Sequence, residues 1–232
     1  METSLTQASP KSGTNNLLKS STLKHPWRFV ALFSIIQFCI YGFGSAYELM
    51  VPNGVCFHYV FAYFISLMVV VPVLATGRFG AGTAVYIPFA TLGFFIEYYM
   101  EWVVNPNLIA PWAAAFWSIF GLLTGFSADL AYRFLPTHLK SVKRAVMVGM
   151  IVGIADFCLT LAVLTFPYKD PVSGVAHLLY GWPIMLPYLL LSAAFAGYTA
   201  HAIANHVNTR PLSTKNEDNI SKKPPRSIIA TQ

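Results

Sequence analysis

Apolar residues run in six long blocks along the chain, roughly 27–49, 56–76, 81–104, 109–134, 142–166 and 179–206. A helix needs about 20 apolar residues to cross the hydrocarbon layer of a bilayer, and each block reaches that length. The pattern predicts an all-α polytopic membrane protein, with six transmembrane helices forming one bundle over residues 26–207. Pro52, Pro106 and Pro171 fall between blocks, where a residue lacking an amide hydrogen ends helices. Pro72, Pro88 and Pro187 fall inside blocks and predict kinks there. Residues 1–25 are rich in Ser, Thr, Asn and Lys, and residues 208–232 are polar and basic, so both read as disordered tails. The first apolar run begins only near Trp27 and lacks a small-residue cleavage site, which argues against a signal peptide.

Composition agrees with this pattern. Of 232 residues, 56% are hydrophobic and 10% charged, whereas soluble domains carry about 25% charged residues. The net charge of +6 does not point to nucleic acid, because no basic face lies on a soluble fold. The basic residues instead sort by loop. Lys11, Lys19, Lys24 and Arg28 precede the first span, Arg78 follows the second, and Arg133, Lys140, Lys143 and Arg144 follow the fourth. Five more follow the sixth, so alternating spans place 14 of the 15 on one side and Lys169 alone on the other. By the positive-inside rule both termini are cytoplasmic, as expected of a multi-pass protein of the plasma membrane.

Five acids lie in or near the apolar blocks: Glu48, Glu97, Glu101, Asp129 and Asp156. A carboxylate in a bilayer span is costly and normally faces the bundle interior, water or a partner. The predicted topology puts Glu97 and Glu101 in the outer half of span three, on one helix face four residues apart. Glu48 ends span one on the same side, and Asp156 lies near the middle of span five. His58 and His177 also fall on the outer side. Asp129 lies near the cytoplasmic end of span four, one turn from Arg133, and is expected to form a structural pair with it. Tyr47, Tyr98, Tyr99, Trp102, Trp112, Trp117 and Trp182 accompany the outer acids, partly as an interfacial aromatic belt.

Such a cluster suits two kinds of ligand. An organic solute would use the carboxylates as acceptors and the aromatics as stacking walls. A metal would use Glu, Asp and His, with His58, Glu97 and Asp156 as the candidate set. HExxH and CxxC are absent, as are a P-loop, a GxSxG elbow and GxGxxG, so ATP chemistry would have to come from another chain. Cys39, Cys56 and Cys158 lie in or beside apolar runs, without disulfide-framework or zinc spacing. Small residues recur four apart as Gly121 and Gly125, Gly149 and Gly153, and Ala193 and Gly197. This spacing lets helix backbones approach, either within the chain or as a docking face for a membrane partner.

Several ordered stretches resemble the substrate-binding component of energy-coupling-factor transporters, hydroxymethylpyrimidine/thiamine type. They are TGRFGAG (76–82), the helix carrying Glu97, GLLTGFSADL (121–130), GMIVGIAD (149–156) and LSAAFAGYTAHAI (191–203). The chain departs from that family in having Phe79 where Pro is usual before Gly-Ala, and Asp129 where Glu is usual. The resemblance implies uptake of a small vitamin-like or aminopyrimidine solute, with no cofactor in this chain. It implies a second transmembrane coupling subunit and ATPase subunits as partners. On that reading Glu97, Glu101, Asp156 and Glu48 bind the solute's polar groups and Trp102 or Trp112 stacks on its ring. RFGAGTAVY, IEYYMEW and ADLAY are also similar to stretches in one membrane subunit of the copper monooxygenases of the methane- and ammonia-oxidising type. That likeness implies copper and a place in an oxidase complex. A structural subunit of a larger membrane complex is the third alternative.

Overall fold

The computed structural model describes residues 23–50, 57–99, 113–165 and 171–209. The expected tails, 1–25 and 208–232, lie outside them except for residues 23–25 and for residues 208–209, which end α7. Helices account for nearly all of this structure, and no strand occurs among the described residues. The elements are α1 (Pro26–Met50), α2 (Phe57–Thr76), α3 (Ala81–Val85), a π-helical turn (Phe89–Gly93), α4 (Phe94–Tyr98), α5 (Ala113–Phe134), α6 (Ser141–Thr165) and α7 (Pro171–Thr209). Three described stretches are long and apolar enough to cross a bilayer: Pro26–Gly44, Ser141–Ala162 and Leu186–Thr209. A fourth, Phe61–Thr76, is apolar but shorter. These helices make the chain a membrane-associated protein, and Phe43, Phe95, Leu191 and Phe195 expose large apolar side chains suited to lipid.

Around the bundle α1 lies against α2, α2 against α7, α7 against α6, α6 against α5, α5 against α3, and α3 against α1, closing a ring. α2 also reaches α3, α5 and α6, which makes it the most enclosed helix. Its Val69, Val70, Val71 and Val73 are wholly buried. Consecutive buried positions, with no polar face, are what a helix surrounded by others requires.

Most helix limits fall within two residues of the apolar blocks, but two elements differ. Pro171 was expected to separate spans; it is instead the first residue of α7, a position where its missing amide hydrogen costs nothing. α7 consequently runs for 39 residues, about 58 Å, and continues to Thr209, where the Asn208 amide donates to the Ala75 carbonyl at 3.3 Å. The third block is not one regular helix. A π-helical turn follows directly on Pro88 and separates α3 from α4.

The turn between α2 and α3 depends on two glycines. Gly77 and Gly80 have φ of 62° and 88°, left-handed values that strain a residue with a β-carbon. Gly77 ends α2 by donating its amide to Val73, as a glycine does just past a helix end. Gly80 turns the chain into α3. Arg78 lies over the Trp27 ring at 6.0 Å and Arg133 over the Phe79 ring at 5.9 Å, both at this end of the bundle.

Small residues bring the helices together. A β-carbon on Gly82 would lie 2.6 Å from the Gly125 carbonyl oxygen, and one on Gly125 would strike the Gly82 carbonyl in return. A β-carbon on Gly121 would lie 2.6 Å from the Tyr86 ring. Between α6 and α7, Gly149 faces the Ala193 carbonyl and Gly197, Gly197 faces Ala145, and Gly153 meets the Ala193 side chain. All six residues considered as a docking face therefore pack against other parts of the same chain.

Candidate functional site

Two carboxylates are buried among the described residues. Asp129, on α5, is 1% exposed. Its Oδ1 accepts the Gly82 amide at 2.9 Å, and its Oδ2 accepts the Thr83 amide at 2.9 Å and the Thr83 hydroxyl at 2.7 Å. These are first-turn amides of α3, which have no carbonyl partner within the helix. The Gly82–Gly125 contact brings α3 close enough for this to happen. The expected Asp129–Arg133 pair is thus replaced. Asp129 caps α3 across the bundle, and Arg133, four residues further on, turns to the Phe79 face.

Arg144 also departs from its expected place in a solvated loop. It is buried at the start of α6, donates to the Tyr132 carbonyl, and stacks its guanidinium on the Tyr132 ring at 4.4 Å.

Asp156, on α6, is 3% exposed. Its Oδ1 has no hydrogen-bond partner among the described residues. Tyr86, at the end of α3, lies within electrostatic reach of this carboxylate. Gln37 and Tyr41 of α1 sit against the Tyr86 hydroxyl. The Tyr41 ring is 5.9 Å from the Tyr86 ring and stacks on Phe89 of the π-helical turn at 4.4 Å. Gly121 leaves the space that the Tyr86 ring fills. Thr160, one turn beyond Asp156, shares its helix face.

Gln37 and Tyr86 are wholly buried. Neither amide atom of Gln37, nor the hydroxyls of Tyr86 and Thr160, forms a hydrogen bond of regular geometry among the described residues. Thr124 on α5 is another buried hydroxyl without one. A buried polar atom without a partner costs on the order of 1–3 kcal/mol, and Asp156 Oδ1 is one of these atoms. The arrangement can accept and donate hydrogen bonds and can balance one positive charge.

The sequence singled out Asp156 but not Gln37, Tyr41, Tyr86 or Thr160. A search for charge passes over neutral polar groups, yet Gln37 inside SIIQFCIYG was the available signal, since an amide is costly in an apolar span.

Glu97 lies on α4, Glu48 in the last turn of α1 and His58 at the start of α2, but their side chains fall outside the described residues. Glu101, Trp102 and Trp112 lie wholly outside them. Tyr98 stacks on Phe94 at 6.1 Å, and Tyr99 is exposed. Among the described residues no three His, Cys, Asp or Glu side chains meet as a metal-binding set. Set against family models, curated proteins and solved structures, the chain matches none of them.

Proposed function

We propose that the chain is the membrane-embedded substrate-binding component of an uptake transporter for a small vitamin-like or aminopyrimidine solute. One observation carries this reading: Asp156, whose Oδ1 has no hydrogen-bond partner among the described residues, is buried inside an apolar helical bundle. Structural polar groups in such a setting are normally paired. A buried acid with an unpartnered oxygen favours a ligand, and intramembrane acids commonly mark solute paths. Six spans with both termini cytoplasmic in the plasma membrane complete the proposal, supported by the 14 basic residues on one side. Glu97, Glu101 and Glu48 would line the outer approach, with Trp102 or Trp112 stacking on a ring. Transport would be driven by a coupling subunit and ATPases, as the resemblance to energy-coupling-factor components implies.

Purified protein should bind thiamine or hydroxymethylpyrimidine, followed by tryptophan fluorescence, and Glu97→Gln should bind more weakly. Equal binding by variant and parent rejects the role of Glu97. No binding of either compound rejects the solute assignment. Purification from native membranes should bring down ATPases; recovery of oxidase polypeptides instead would overturn the transport reading.

A further inference from the structure

Side-chain contacts gather basic residues from several helix ends at one end of the bundle. Arg78, in the α2–α3 turn, lies over the ring of Trp27 at the start of α1, 6.0 Å away. Arg133, at the end of α5, lies over the ring of Phe79 in the same turn, 5.9 Å away. The start of α6 joins them, because Arg144 binds Tyr132 near the end of α5. Arg144 is buried, but Arg28, Arg78, Arg133, Lys140 and Lys143 at or beside these helix ends are exposed.

This charge is not offset among the described residues. Asp129, the carboxylate nearest this end, is buried with both oxygens committed to Gly82 and Thr83. Glu48 closes the opposite end of α1, Glu97 lies on α4 beyond the π-helical turn, and Asp156 lies midway along α6. The rim is also aromatic: Trp27, Phe79 and Phe134 are exposed beside the same arginines, and Phe126 packs edge-on to Phe79 at 6.0 Å. The turn that carries Arg78 and Phe79 is well bonded. The Arg78 amide donates to the Thr76 hydroxyl at 3.3 Å, and the Ala81 amide to the Arg78 carbonyl at 3.3 Å.

The pairing of charge and ring indicates the occupant. A guanidinium engaged by a ring still offers N–H donors in a planar fork that matches a phosphate. Pro26–Gly44 and Ser141–Ala162 lead away from this rim as stretches long and apolar enough to cross a bilayer, which sets the rim at headgroup level. Aromatic side chains settle at that level, and basic residues flanking a span attract anionic lipids. A nucleotide or an acidic loop would satisfy the arginines but leave Phe79 and Phe134 in water.

We propose that the rim formed by the start of α1, the α2–α3 turn and the end of α5 is a docking surface for anionic phospholipid headgroups. Arg78 and Arg133 are the phosphate contacts, and Trp27, Phe79 and Phe134 seat the rim among the lipid glycerol groups. Sorting of basic residues to one side of a membrane requires neither the rings under the arginines nor the absence of a nearby free carboxylate. The proposal does not rest on the transport reading or on any solute.

The test uses full-length protein in neutral detergent, titrated with phosphatidylglycerol or phosphatidylcholine, with thermal unfolding and native mass spectrometry as readouts. Phosphatidylglycerol should raise the thermal midpoint saturably and stay bound, and phosphatidylcholine should do neither. Arg78→Gln combined with Arg133→Gln should weaken phosphatidylglycerol binding by about fivefold for each arginine. Lys140→Gln combined with Lys143→Gln should weaken it less. Phe79→Ala keeps every charge but removes the ring under Arg133, and should also weaken binding. Equal stabilisation by the two lipids, or unchanged affinity in the paired arginine variant, overturns the proposal. Equal losses from the arginine and lysine pairs overturn the assignment to the ring-held arginines. Inorganic phosphate competing at the same concentration as phosphatidylglycerol overturns it in favour of a soluble phosphate compound. An acidic polypeptide that co-purifies and is lost with the arginines, without a lipid effect, overturns it in favour of a protein partner. If the paired glutamine variant does not fold, Arg78→Lys combined with Arg133→Lys keeps the charge but removes the planar fork. Weaker phosphatidylglycerol binding is then expected, and full affinity overturns the proposal.

Discussion

Asp129 and Asp156 are the same residue type, on neighbouring helices, buried almost equally. Their surroundings are opposite. Asp129 has three donors at 2.7–2.9 Å, two of them backbone amides that need an acceptor. Asp156 has an oxygen with no partner among the described residues. One carboxylate completes the fold, and the other is held by it. Burial of an acid alone therefore does not identify a functional site; the state of the groups around it does.

Four substitutions test this contrast, in descending order of expected effect. Gly125→Val drives a side chain into the Gly82 backbone and should remove the contact that sets Asp129 in place. A loss above about 4 kcal/mol is expected, seen as little monodisperse protein on size exclusion. Normal yield and melting would show that the α3–α5 contact yields easily.

Asp129→Ala strands the Gly82 and Thr83 amides and should destabilise by about 3 kcal/mol, read from thermal or denaturant unfolding in detergent. A near-neutral result would remove the distinction between the two acids. Thr83→Val deletes one of the three donors while keeping shape, and about 1 kcal/mol is expected in the same assay.

Asp156→Asn should behave in the opposite sense. It removes a buried charge without a partner, so stability should hold or rise by about 1 kcal/mol. A loss as large as that of Asp129→Ala would show that Asp156 is structural as well.

The helical architecture was legible because apolar block length decides it, and α1, α2 and α6 begin and end within one residue of their blocks. The capping role of Asp129 was not legible. Its partners are 46 and 47 residues away, and local spacing offered Arg133 as a plausible partner one turn on. The glycine pairs were legible as close-packing positions, but which helices they join is a tertiary fact. Asp156 was found because charge is conspicuous in an apolar span. Gln37 and Tyr86 were missed because neutral polar residues are tolerated in helices for many reasons, and only their complete burial distinguishes them.

The π-helical turn at Phe89–Gly93 has a consequence for everything beyond it. A π-turn adds one residue to a helical turn, which advances the angular position of each later residue by about 100°. Tyr86 lies before the turn and α4 after it, so a helical wheel drawn straight through the segment misplaces the faces of α4. The turn acts as a phase shifter. It lets one stretch of chain present an aromatic wall to α1 and α5 at one end, and set the direction of α4 independently at the other. Removing a single residue there should leave the composition almost untouched yet re-aim α4.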